Sequence, residues 1–214
     1  MKLASARHPL LLPLILLAAL LCACSTNVTV NGDYPSALTR KQPLRVGLVL
    51  DDQFSHYQFE SDKDQTQPVT MALGESQVKL FSRVFTDMFQ SSNTYSSLAA
   101  GNNQVDLLVV PQVEEVQLAT PLETQLNVYE VWLKYNLKVY DSKGQPIADW
   151  LMSAYGKTQS RALKSDSEAL NQATVSALRD AGARLVIGFE RVPEIRQWLA
   201  ERQSQSRLSQ REAP

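Results

Sequence analysis

The sequence predicts an α+β domain, a single mostly antiparallel sheet with helices packed on it. Three observations carry that expectation. Residues 126–140 alternate apolar and polar side chains and end at Asp141-Ser142-Lys143-Gly144, a turn that leads into a second extended run. Between residues 72 and 89, Val78, Phe81, Phe85 and Met88 fall on one helical face, with Lys79, Arg83 and Asp87 opposite. Ser165-Asp166-Ser167-Glu168 has the pattern of a capping box and precedes Leu170, Ala173, Ala177, Leu178, Ala181 and Leu185 at helical spacing.

At the start of the chain, Lys2 and Arg7 precede an apolar run from Leu10 to Leu21, and no acidic residue occurs before Asp33. A basic start, a short apolar core and small residues before a cut describe an export signal. The run is about a dozen residues, short of the roughly 20 that a membrane span needs. The segment Leu21-Cys22-Ala23-Cys24 resembles the lipobox of bacterial lipoproteins. That resemblance implies cleavage before Cys24, a diacylglycerol thioether on its sulfur and acylation of the new amino group. Ser25 follows, not Asp. By the sorting rule of such lipoproteins this implies the outer membrane, with the body expected to face the periplasm. The chain then divides into a signal peptide at 1–23, a lipidated N-terminus and flexible tether at 24–43, a domain at 44–202 and a disordered tail at 203–214. An extended tether of that kind would reach roughly 55 Å.

Leu44 to Leu50 is a short β-branched-rich run that predicts the first strand, and His56 to Glu60 a second. Ser61 to Pro68 is polar and predicts a loop. A helix is expected from Ala72 to Phe89, then a turn at Gly101-Asn102-Asn103. Val105 to Val110 is nearly all apolar, which suits a central strand, and it is expected to stop at Pro111. Gln112 to Leu118 alternates again. The clearest strand has Tyr129, Val131, Leu133, Tyr135, Leu137 and Val139 on one face, and Pro146 to Thr158 is its expected partner. Gly182 and Gly188 weaken the last long helix. Pro193 restarts a short one from Glu194 to Arg202. The lipobox, the tether and this order resemble several envelope lipoproteins: the curli-secretion pore lipoprotein, a polysaccharide-export lipoprotein and the outer-membrane activators of penicillin-binding proteins; segments such as 128–135 and 177–183 resemble, alternatively, an uncharacterised lipoprotein family.

Composition excludes several functions. The full chain has 21 basic and 22 acidic residues; without Lys2 and Arg7 the balance is 19 to 22, a net of −3. No clustered cationic surface for nucleic acid or anionic lipid is written there. Cys22 leaves with the signal and Cys24 is expected to carry lipid, so the body has no thiol for a disulfide. A single histidine, His56, remains for catalysis, without a Gly-x-Ser-x-Gly elbow. Zinc lacks a ligand set. Asp51, Asp52, Asp62 and Asp64 bracket a loop without the spacing of a calcium site. Glu114 and Glu115, adjacent on a strand, are expected on opposite faces. Phosphate-cradling glycine loops are absent. No catalytic residue, metal site or cofactor is therefore expected.

Two tryptophans are candidate partner contacts. Trp132 falls on the polar face of the long strand among Glu130, Lys134 and Asn136. It reads either as an interface anchor or as a side chain covered by a helix. Trp198, with Val192, Ile195 and Leu199, either presents a contact surface or docks its helix on the domain. The expectation from these residues is a non-enzymatic outer-membrane lipoprotein, attached to the bilayer through acylated Cys24. It would serve an envelope complex as an accessory, assembly or scaffold factor through a protein partner, and it would bind no nucleic acid. The alternative is a periplasmic binder of a small ligand or glycan that uses the aromatic hairpin as its platform.

Overall fold

The computed structural model describes residues 26–62, 68–159 and 165–212. The signal peptide, Cys24 and Asp64 lie outside them. The long hairpin is its backbone: β7 (Val128–Asp141) and β8 (Pro146–Gln159) pair antiparallel from Val128↔Gln159 to Tyr140↔Pro146. The turn depends on Gly144 at φ +78°, where a side chain would be strained. All six predicted inward residues of β7, Tyr129 to Val139, are buried. On the other side of β7 lies β6 (Leu107–Ala119), antiparallel to it. Pro111 does not stop β6. Strand β2 (Gln42–Val49) pairs with β6 only from Leu107 to Val109, so at Pro111 one side of β6 is open, and a missing N–H is tolerated there.

Beyond β2 lies β5 (Phe89–Tyr95), giving the order β5-β2-β6-β7-β8. β2 runs parallel to both its neighbours. A second sheet orders β1 (Thr26–Thr29), β4 (Val69–Ala72) and β3 (Gln58–Glu60) as β1-β4-β3, with β1 parallel and β3 antiparallel to β4. The fold is thus α+β with two mixed sheets rather than the expected single, mostly antiparallel one. The parallel pairings have a simple cause. Helix α2 (Gly74–Met88) lies between β2 and β5 and returns the chain in the same direction, as parallel neighbours require.

The first short helix, α1 (Asp52–Ser55), is capped by Asp51, whose Oδ1 accepts the Phe54 N–H at 2.8 Å. Its Phe54 enters an aromatic cluster, with ring centroids 5.3 Å apart for both Phe54–Phe81 and Phe81–Tyr135. Such pairs contribute about 0.5–1.5 kcal/mol each beyond burial. Helix α2 buries Leu80, Phe81, Val84, Phe85 and Met88, but it turns Gln77 inward and leaves Val78 half-exposed. The buried amide is satisfied. Gln77 Nε2 donates to Phe54 O at 2.6 Å, and the Tyr135 hydroxyl donates to Gln77 Oε1 at 3.1 Å. Burial pushes the Tyr135 phenol far above its ordinary pKa.

Helix α5 (Asp166–Gly188) begins at the expected cap, with Ser165 Oγ accepting the Glu168 N–H at 3.2 Å, and it runs unbroken through Gly182. Buried Ala169, Ala173, Ala177 and Ala181 let it lie close on β7 and β8. A Cβ at Gly156 of β8 would stand 2.2 Å from both Ala173 O and Ala177 N. Beside that contact, the Tyr155 N–H donates across the free side of β8 to Asp180 Oδ2 at 3.0 Å.

Two terminal segments depart from expectation. Residues 26–42 are not a free tether. β1 buries Val28, Val30 follows it into the core, and the Tyr34 hydroxyl bonds Ser76 Oγ at 2.6 Å. Likewise the tail continues as helix, α6 (Pro193–Glu212). Val192 and Ile195 bury beside its first turn. Arg202 then reaches Asp106 at 2.8 Å, a carboxylate also held by Arg45 through its N–H at 2.8 Å and its guanidinium at 3.2 Å. Burial pushes the Asp106 carboxyl up, but the Arg45 N–H and the two guanidinium groups outweigh it and hold it below the usual carboxylate range.

Candidate functional site

The five-stranded sheet has an inner face under α2 and α5 and an outer face covered only in part. Helix α3 (Leu98–Gly101) touches β2, β5 and β6, and beside it Val49, Val105, Leu108 and Val110 form a small second core with Tyr95, Leu98 and Tyr140. The even-numbered side chains of β7 from Val128 to Tyr140 are all half-exposed.

Trp132 stands on this outer face. Its cross-strand partner is Tyr155, with ring centroids 5.2 Å apart and planes tilted by 41°. The register is set by the tight turn at the far end of the hairpin together with a one-residue shift between Val139 and Tyr140. Tyr155 is pinned in turn, because its hydroxyl donates to Glu130 Oε1 at 2.7 Å. That bond, with help from desolvation and the carboxylate charge, pushes the phenol pKa up to about 12. Around the pair the charges are mixed: Glu115 lies 4.0 Å from Lys134, and Lys138 is opposite Asp149. Leu151, opposite Asn136, is exposed. This is a rigid amphipathic patch, two aromatic rings within a charge-balanced polar field. Hydrogen bonding and stacking on another surface are within its chemistry.

Trp198 does not join it. Its ring packs against the main core in part, and the Arg202 guanidinium lies 5.5 Å from the ring centre. His56 is exposed at the end of α1, its Nδ1 3.2 Å from Asp52 O. Glu114 and Glu115 lie at a bulge, between the pairings of Val113 and Glu115, and both are exposed. Among the described residues, no group of three or more His, Cys, Asp or Glu is placed to hold a metal ion. Several clefts open among the described residues. One of about 270 Å³ lies between α1 and β6 and includes Asp51, Phe54, Tyr57 and Gln112. An apolar one of about 210 Å³ lies where Tyr34 and Pro35 cross Leu80, Val84 and Val186.

Sequence parity placed Trp132 on the correct face. It did not find Tyr155 as its partner, because pairing outward from the turn puts Ala154 opposite Trp132, and a one-residue shift between Val139 and Tyr140 moves Tyr155 there instead. Gln77 was missed because a glutamine within an amphipathic helix carries no sign of burial.

No family model and no curated protein matches the chain. Among solved structures, its fold is similar to that of protein XCC0632 from Xanthomonas campestris, described with the family model DUF330. The TM-score is 0.51 at 10% identity, over 76% of this chain and 93% of that one. A hypothetical protein CT253 from Chlamydia trachomatis aligns at a TM-score of 0.44 and 12% identity, over 70% and 96% of the two chains. A minor lipoprotein from Acinetobacter baumannii aligns at 0.40 and 13%, over 72% and 97%. At such identities the likeness to XCC0632 is one of fold.

Proposed function

We propose that this chain is a non-enzymatic lipoprotein of the bacterial envelope, anchored in the outer membrane through Cys24 and facing the periplasm. It acts as an accessory, assembly or scaffold factor that captures an envelope protein on the outer face of the β7–β8 hairpin. The observation that carries this reading is the Trp132–Tyr155 pair, held in place on a sheet face that the chain's own helices leave half-exposed. A preorganised aromatic anchor is what binding hot spots are built from, since little rotamer freedom is lost on contact. The resemblance of Leu21-Cys22-Ala23-Cys24 to a lipobox supports the attachment.

The test is proximity labelling in living cells from the lipidated protein, with Cys24→Ala as control. One enriched envelope assembly, lost in the control, is the expected result; uniform labelling of all membrane neighbours would sink the partner. On the purified complex, Trp132→Ala is expected to weaken capture about 30-fold, the scale of a 2 kcal/mol hot spot, with the unfolding midpoint little changed. A second reading, a glycan or small-ligand binder, draws on the same aromatic pair as a stacking platform. It requires saturable thermal stabilisation by a cell-wall fragment, lost in Trp132→Ala.

A further inference from the structure

Strand β1 starts at Thr26, two residues after Cys24. Its first residue is already fixed, since the Thr26 N–H donates to Pro68 O at 3.0 Å and Thr26 pairs with Val69. Two residues of extended chain span about 7 Å. An acyl group on Cys24 therefore enters the bilayer next to the folded domain, not at the end of a long tether. Whichever end of the domain carries Thr26 is held at the headgroups.

That end can be traced. The Arg179 guanidinium donates to Asp33 O at 3.0 Å, and the Asn171 side chain bonds both the N–H and the carbonyl of Asn31 at 2.9 and 3.1 Å. Going back from Asp33 to Asn31, the chain moves along α5 towards its first turn, with β1 the next segment back. The first turn of α5 is also where β7 begins: the Tyr129 hydroxyl is hydrogen-bonded to Asp166, and Val128 is paired with Gln159 at the close of β8. Helix α4 (Pro121–Thr124) joins β6 to β7 at this same end. On and after it stand Leu122 and Leu126, 73% and 72% exposed. Their backbone is fixed: Thr120 N–H donates to Glu123 Oε2 at 2.7 Å, and Gln125 turns the chain at φ +53°. Two leucines held out in water by an ordered turn, at the end towards which the chain runs back from Asp33 to Asn31, are placed to meet an apolar surface.

We propose that this end of the domain, centred on Leu122 and Leu126, rests in the headgroup region of the bilayer that receives the Cys24 lipids. This rests on the lipoprotein reading above. The proposed contact is apolar: among the described residues, the charged side chains near these leucines and at the start of α5 are mostly acidic, Glu123, Asp166 and Glu168, with Lys157 in β8. The docked domain would stand its long strands away from the membrane. Trp132 would then lie about 13 Å above Val128, at 3.3 Å per residue, facing sideways. The hairpin turn and α6, whose Glu194 lies beside Tyr140 and Pro146, would be the most distant parts.

The experiment uses the full lipidated protein in vesicles of phosphatidylethanolamine and phosphatidylglycerol. An environment-sensitive fluorophore is placed at Leu122→Cys, Leu126→Cys or, in the hairpin turn, Lys143→Cys. All three positions are exposed, so the fold is not at stake. Lipid-borne quenchers are expected to quench the probes at 122 and 126 at least threefold more than the probe at 143, equally in purely zwitterionic vesicles. Equal quenching at all three positions, with Cys24 acylated by mass spectrometry, would overturn the docking alone. Quenching that needs anionic lipid would overturn its apolar character. An unmodified Cys24 in the mature protein would overturn the anchor and the docking together.

Discussion

Strand β1 with its following loop, and the last turns of α6, start from similar material. Thr26 to Tyr34 reads Thr-Asn-Val-Thr-Val-Asn-Gly-Asp-Tyr; Gln203 to Glu212 reads Gln-Ser-Gln-Ser-Arg-Leu-Ser-Gln-Arg-Glu. Both are polar and lie near chain termini. The first is built into the domain and the second projects from it as helix, with Leu208 58% exposed. The difference lies in three side chains. Val28, Val30 and Tyr34 are buried in the core, and ladder bonds to β4 satisfy the backbone of β1. Gln203 to Glu212 offers a single apolar residue, Leu208, and it stays exposed, so no buried apolar group anchors these turns. Overall polarity does not decide whether a terminal segment folds in; a few correctly spaced apolar groups do.

The contrast can be broken hardest at β1. Val28→Asp puts an unpaired charge where the wild type is 6% exposed, and about 3 kcal/mol or more of stability should be lost. Urea unfolding measures it, and an unchanged midpoint would show that β1 is not part of the cooperative unit. Tyr34→Phe is gentler. It leaves the buried Ser76 hydroxyl without its partner, for an expected loss of about 1–2 kcal/mol. The wild-type phenol has its own pH signature. Burial raises its pKa against the opposing Ser76 bond and Arg179, so the folded state holds the proton more tightly than the unfolded chain. That contribution is complete below pH 10 and declines as pH rises beyond it. Alkaline unfolding followed by tyrosinate absorbance should lose this component in Tyr34→Phe.

At the other terminus the effects shrink. Asp106→Asn weakens the clasp on Arg202 and Arg45, whose side chains are 42% and 60% exposed. Solvent screening limits the loss to about 1 kcal/mol, but amide exchange across Ile195 to Arg202 should quicken clearly. Because the folded Asp106 carboxyl has a lowered pKa, its stabilisation is present above the ordinary carboxylate value, near pH 4, and is lost as pH falls through the folded value. The pH dependence of exchange in this helix should flatten in the variant. Removing residues 203–214 is expected to change stability by less than about 0.5 kcal/mol. A larger loss by calorimetry would show that the projecting helix is braced after all.

The same physics explains what the sequence made legible. The hairpin could be read because alternation over twelve residues and a glycine turn are local signals, and both strands are long. The cap of α5 was equally local. β5 could not be read: Phe89-Gln-Ser-Ser-Asn-Thr-Tyr has no apolar alternation, and it becomes a strand because β2 offers it a parallel partner. β1 and β4 are four residues each and owe their existence to each other across some forty positions. The split into two sheets is a property of such distant pairings, not of any window of sequence. At the outer face, parity located Trp132, but the half-exposure of that face depends on α2 and α5 both packing on the opposite side, which no spacing in β7 encodes.

Strand β8 has a further consequence. A fourteen-residue strand at the margin of a sheet is a template on which another chain can extend the ladder, the first step towards domain swapping or fibrous aggregation. Here the template is occupied near its middle. The close crossing of α5 at Gly156 and the carboxylate of Asp180 on the Tyr155 N–H leave an incoming strand neither the room nor the donor it would need. Two residues chosen for packing also keep the molecule from recognising itself.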